Sequence, residues 1–218
     1  MKTVLIFGSS GLIGNQLLEL LVNNDKYSKI KLFVRSETSN SNSKIEIIKT
    51  DFNNLENHKD TMVGDDCFFC IGTTRKNTPN KNEYIKVEYN IPVEVAKITK
   101  ENSIDSFIYV SSMGANPNAL GLYLKNKGQA EEALKKMNFP KLSIIRPSIL
   151  LGNRRENRIG EKIGIFVMKS FSPLFLGKMK KYKPIKVENV AKAMVKVVEN
   201  DYQNNILESD EIMEISNS

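Results

Sequence analysis

The chain has 218 residues, 40% of them hydrophobic and 26% charged, the balance of one soluble globular domain spanning 1–218 with a single sizeable core and too little chain for two. Its formal net charge of +7 comes from lysines and arginines scattered among acids, so nucleic acid is not an expected partner; the one compact basic run, Lys178 to Lys183, reads as a solvated loop, with an anionic substrate, an acidic partner or a membrane surface as alternatives. No apolar run approaches the roughly 18 residues of a membrane span, and the apolar stretch after Lys2 is cut short at Gly8, so neither a span nor a secretory leader is expected and a cytoplasmic location is.

Val4 to Phe7 reads as a buried strand that runs into Gly8-Ser9-Ser10-Gly11-Leu12-Ile13-Gly14, after which an amphipathic helix is predicted from Leu12 to Val22. A glycine-rich turn between strand and helix is a phosphate cradle: Gly8 takes the tight turn, Gly11 lets backbone N–H groups reach a pyrophosphate, and Gly14 lets the helix pack close. Ser9 and Ser10 add hydroxyls. The spacing also occurs in ordinary turns, so a dinucleotide site needs support from residues farther along the chain. The next strand, Ile30 to Val34, ends at Arg35, about twenty residues past the glycines, where an NAD site would carry Asp or Glu for the ribose 2′-OH. A guanidinium there suits a 2′-phosphate, so NADP(H) is the expected cofactor; Glu37 nearby keeps NAD(H) as second choice. Ser36 to Lys44 is short and polar and is expected to be a loop. A third strand covers Ile45 to Ile48, and Asp51-Phe52 beyond it is placed for an adenine edge.

Strand four, Cys67 to Ile71, holds both cysteines; side chains three apart on a strand point to opposite faces, so two buried thiols are expected rather than a disulfide or a shared metal. The single histidine, His58, gives a His-based triad or a zinc site almost no material. Gly72-Thr73 is placed for ribose and pyrophosphate. A helix is predicted over about Lys81 to Glu101, kinked by Pro92, which lacks an N–H and frees a carbonyl for water or a proton relay. Strand five, Phe107 to Val110, leads to Ser111-Ser112-Met113-Gly114. Then come a helix from Leu120 to Met137, strand six from Leu142 to Ile145, and a last helix from Val187 to Glu199. Alternating units with continuous apolar strands imply a parallel sheet covered on both faces, a doubly wound α/β fold.

Ligands of such sheets lie outside the strands' carboxyl ends. There Tyr123 and Lys127 stand at i and i+4 on one helical face, where an ammonium favours the phenolate and so equips the phenol for acid/base work. Tyr27/Lys31 and Tyr182/Lys186 share that spacing among seven tyrosines; only Tyr123 follows a strand-ending Ser-Ser pair and opens a convincing helix.

The combination GSSGLIG, VRS, IYVSSMGA, YLKNK and IIRPSILLG resembles the atypical short-chain dehydrogenase/reductase superfamily, nearest the NAD(P)H-binding group that includes the Tat-interacting oxidoreductase-like proteins. The resemblance spans nearly the whole chain. It implies a Rossmann fold in which Ser112 (Ser111 the alternative) polarises a substrate carbonyl, Tyr123 is the acid/base, Lys127 binds the nicotinamide ribose, and Pro147-Ser148 flank the carboxamide. Pro184 to Ala191 resembles the stretch of extended members that returns to the nucleotide domain. Two features depart from the pattern. The family's tetrad asparagine has only Glu88 or Asn90 as counterparts. The substrate lobe shrinks to an insert over 152–183 containing Arg154-Arg155, Ile163 to Met168 and Ser172 to Gly177. That insert is expected to lid a hydrophobic substrate, to pack as core, or to dock a partner; the two arginines would hold an anionic group or be solvated. The resulting expectation is an NADP(H)-dependent oxidoreductase acting on a carbonyl or alcohol small molecule, with a homo-oligomer or a protein partner open. The alternative is a non-catalytic NADP(H) sensor that signals to a protein.

Overall fold

Four consecutive apolar residues, Val4 to Phe7, are fully buried, as a strand must be when helices cover both faces of its sheet. They belong to β1 (Lys2–Phe7), an interior strand of a seven-stranded sheet in the computed structural model, which describes residues 1–36, 40–152, 177–200, 202 and 206–218. The other strands are β2 (Tyr27–Val34), β3 (Ile45–Lys49), β4 (Asp66–Phe69), β5 (Ser106–Val110), β6 (Lys141–Arg146) and a short pair, β7 (Leu150–Leu151) and β8 (Ile185–Lys186), before β9 (Ile206–Glu208). The large sheet runs β3-β2-β1-β4-β5-β6-β9, every neighbour parallel. The chain therefore leaves β1 in one direction and resumes on its other side with β4. At that reversal the flanking loops part and open a crevice.

Alternate side chains of β1 feed two cores. Val4 and Ile6 pack with α1 (Leu12–Val22), α5 (Val187–Glu199) and α6 (Ser209–Asn217). Leu5 and Phe7 pack with α3 (Ile91–Glu101) and α4 (Leu122–Lys136). On that second face the Phe7 ring stacks on Phe33 at 4.4 Å between centroids. Cys67 and Cys70 are free thiols on opposite faces, because β4 alternates in the same way, but only Cys67 is buried as expected; Cys70, just past β4, is partly buried at the edge of the other core. The architecture is the expected Rossmann-like single domain.

One local expectation needed correction, and other elements were not foreseen. The helix foreseen over Lys81 to Glu101 is α2 (Lys81–Ile85), a π-helical turn (Lys86–Asn90) and α3. Pro92 sits at the start of α3 and has no N–H for the Glu88 carbonyl, while the Ile91 N–H reaches back to the Lys86 carbonyl, so one wide turn absorbs the break. A 3-10 helix (Leu55–Thr61) joins β3 to β4. Finally, β9 and α6 extend the fold past the last foreseen helix; α6 is closed by a capping box between Glu208 and Glu211. Residues 40–44 form the expected loop. Glu37, Arg154-Arg155, Ile163 to Met168 and 172–176 lie outside the described residues.

Candidate functional site

Gly8 adopts φ +90°, and a Cβ there would stand 2.8 Å from the Ile71 nitrogen. At Gly14 a Cβ would fall 2.1 Å from the Gly8 carbonyl oxygen. Both positions must be glycine for the turn to close against β4 and for α1 to approach it. Gly11 caps α1 without a side-chain hydrogen bond, and the first turn carries no acid. The first N–H groups of α1 thus have no side-chain acceptor, which suits an anion.

That helix end opens on a cleft of about 250 Å³ at the carboxyl ends of β1, β4 and β5, near the lower end of small-molecule sites. Into it the fold brings Gly11, Leu12 and Ile13 from the first turn, Gly72 and Thr73 after β4, Ser111 and Ser112 after β5, Tyr123 and Lys127 from α4, and Pro147 after β6. Gly72 is exposed, and a Cβ on it would lie 3.5 Å from Glu88 Oε1 and 4.0 Å from Lys127 Nζ. Its absence leaves the edge of those two side chains open to the cleft. An uncapped helix end, a bare glycine edge and a lysine facing one cleft fit a dinucleotide.

Lys127 is buried. Its Nζ donates to the Val110 carbonyl at 3.0 Å, pairs with Glu88 Oε2 at 3.1 Å and lies 4.8 Å from the Tyr109 ring centroid. Burial works against the charge, but Tyr109, Glu88 and Tyr123 outweigh it and hold the ammonium above the ordinary lysine range. Glu88 is fully buried, and its Oε1 accepts the Thr73 N–H at 2.6 Å. One carboxylate thus ties the loop after β4 to α4. Of the two candidates for the tetrad position, Glu88 reaches Lys127, whereas Asn90 is exposed at the end of the π-turn. Sequence reasoning left Glu88 open. Its signal was a carboxylate on the apolar face shared by Tyr84, Ile91 and Val95, all buried.

The serines separate. Ser111 is buried and donates to Glu131 Oε1, while Arg146 donates to both Glu131 oxygens, to Glu208 and to the Ala115 carbonyl. Ser112 is partly exposed in the cleft, and its hydroxyl makes only a 3.3 Å bond to the Met113 carbonyl. Ser148 is occupied by the Lys183 carbonyl and Ser209.

Tyr123, 39% exposed, stands one helical turn before Lys127. The other spaced pairs are different: Tyr27 lies on β2 and donates to buried Asp66, and Tyr182 and Lys186 lie on separate elements. Arg35 is exposed just beyond β2, Ser9 is buried and Ser10 exposed. Asp51 accepts two hydrogen bonds from Asn53, which hold its carboxyl below the usual range. Phe52 has φ +59°, and its buried ring packs against Phe7 rather than facing solvent.

Residues 8–201 match the family model described as NAD(P)H-binding. Protein FMP52, mitochondrial, of Debaryomyces hansenii is 34% identical over 155 residues, covering 70% of this chain and 69% of that protein. Protein HTATIP2 of Rattus norvegicus is 32% identical over 166 residues, covering 73% of this chain and 67% of that protein. A UDP-glucuronic acid 4-epimerase from Bacillus cereus, solved with NAD, shares the fold at TM-score 0.70 over 94% of this chain and 76% of that one, with 15% identity. The FMP52 relatives in three yeasts are named mitochondrial, which overturns the expectation of a cytoplasmic chain.

Proposed function

Because this chain belongs to the NAD(P)H-binding family, we propose that it is an NADP(H)-dependent oxidoreductase acting on a carbonyl or alcohol small molecule. The observation that carries the reading is the single cleft shared by the uncapped start of α1, Ser112, Tyr123 and Lys127. In the mechanism, the N–H groups of Leu12 and Ile13 hold the pyrophosphate, Arg35 the 2′-phosphate, and Gly72 and Thr73 the adjoining ribose. Asp51 and the Phe52 backbone border the adenine, and Pro147 borders the nicotinamide. When bound, the nicotinamide supplies or accepts the hydride.

Lys127 donates to the Val110 carbonyl and pairs with Glu88 by charge, and its remaining N–H donors would serve the nicotinamide ribose. Tyr123 gives its phenol proton to the substrate oxygen in reduction and takes it back in oxidation, while the Ser112 hydroxyl donates to the same oxygen. The test is a carbonyl and alcohol screen followed by NADPH absorbance on wild type and Tyr123→Phe. Turnover by wild type with loss of at least about 100-fold in Tyr123→Phe supports the assignment; equal turnover removes Tyr123 from the chemistry.

One observation favours the sensor reading. The Lys127 ammonium pairs with buried Glu88 at 3.1 Å, so Tyr123 is not its sole anionic partner. A chain that binds NADPH and turns over nothing across the panel would be that sensor, answering to a protein partner.

A further inference from the structure

Three features converge on one side chain. Glu88 is fully buried on a wide helical turn between α2 and α3. Each of its oxygens faces a group from a different wall of the cleft, the Thr73 N–H on one side and the Lys127 ammonium on the other. Oε2, although 3.1 Å from Nζ, has no aligned hydrogen-bond donor. An acceptor buried at such cost is retained for its charge rather than for a hydrogen bond.

We infer that Glu88 is a positioning residue that sets the electrical balance of the reaction centre, compensating Lys127 so that Tyr123 faces a nearly neutral pair instead of a bare ammonium. This rests on the proposed use of Tyr123 and Lys127. It goes beyond it in assigning to Glu88 the control of when the phenol ionises. An amide keeps one acceptor oxygen, enough for the Thr73 N–H, but would turn its NH2 toward the Lys127 ammonium and leave the cation uncompensated.

Among the described residues, the charged and titratable groups facing this pair are few. Tyr109 comes from β5, Tyr123 and Glu131 from α4, Cys70 from the end of β4, and Tyr84 from α2 with the Arg75 guanidinium 5.4 Å above its ring. Tyr109 and Cys70 are both pushed up to about 12, chiefly by burial, and are neutral at physiological pH. Glu131 is already engaged by Arg146. Glu88 is thus the carboxylate in contact with Lys127.

The experiment is an ultraviolet difference titration of the protein without nucleotide or substrate. The Tyr123 phenolate signal is isolated by subtracting Tyr123→Phe, once in the wild-type background and once in Glu88→Gln. The amide keeps an acceptor for Thr73 and removes the charge. The phenolate should then appear at a pH lower by about one unit, a change that a purely structural role would not produce. An unchanged titration in folded Glu88→Gln overturns the inference. If that variant does not fold, Glu88→Gln/Lys127→Met decides: with both charges gone it should be more stable than the single variant, and equal or lower stability overturns the inference. Since no nucleotide or substrate takes part, these outcomes are separate from whether the protein turns anything over.

Discussion

Glu88 and Lys127 pair at 3.1 Å with side chains 0% and 4% exposed, so neither charge has water to fall back on. Removing one partner strands the other in the interior. Lys127→Met should therefore lose about 3–5 kcal/mol of stability, read from urea unfolding, and Glu88→Gln less, because its amide still accepts the Thr73 N–H. A loss below about 1 kcal/mol for Lys127→Met would mean that the carboxylate finds another partner.

Gly14→Ala tests the strand-to-helix turn. The added methyl would lie 2.1 Å from the Gly8 oxygen, which is backbone and has no room to withdraw. Overpacking of this kind costs about 1–3 kcal/mol, and moving α1 off the turn should weaken dinucleotide binding in parallel. A variant with wild-type melting temperature and affinity would show that α1 is not held by this approach.

The two serines should part company. Ser111→Ala removes a donor to Glu131 inside the Arg146 network and should cost about 1 kcal/mol of stability, with turnover reduced no more than the loss of folded protein explains. Ser112→Ala should leave stability within about 0.5 kcal/mol and lower kcat with cofactor affinity unchanged. The opposite pattern would make Ser111 the catalytic hydroxyl.

Alkaline pH should unfold the protein in a defined window. Burial raises the Cys70 thiol from 9.0 to about 12 and the Tyr109 phenol from 10.0 to about 12. Between those values the unfolded chain has released protons that the folded chain still holds. It binds fewer protons, so stability falls as pH rises. Full stability below about pH 9 should decline toward pH 12, seen as a falling urea midpoint, and Cys70→Ala should flatten the lower part of that decline. A midpoint constant through the window would contradict the burial of these groups.

What was legible in the sequence was what neighbours along the chain determine. The Gly8 to Gly14 turn follows from sterics within a few residues, and α1 and α5 occupy the predicted Leu12 to Val22 and Val187 to Glu199. Tyr123 and Lys127 could be picked out because they sit on a helix after a strand-ending Ser-Ser pair. What escaped depends on distant partners. Ile206 to Glu208 is too short to show a period and becomes a strand only by pairing with β6. The π-turn reflects Pro92 acting on the residues before it. The worth of Glu88 is set by Lys127 on another helix, which no local pattern announces.

The most direct measurement is a calorimetric titration of the protein with NADPH and with NADH, repeated on Arg35→Ala. Saturable one-to-one binding of both is predicted, with NADPH tighter by about tenfold to a hundredfold through a charge-assisted contact worth roughly 1.5–3 kcal/mol, and with that preference lost in Arg35→Ala. No binding of either nucleotide to the wild-type protein would contradict the proposed function at its centre.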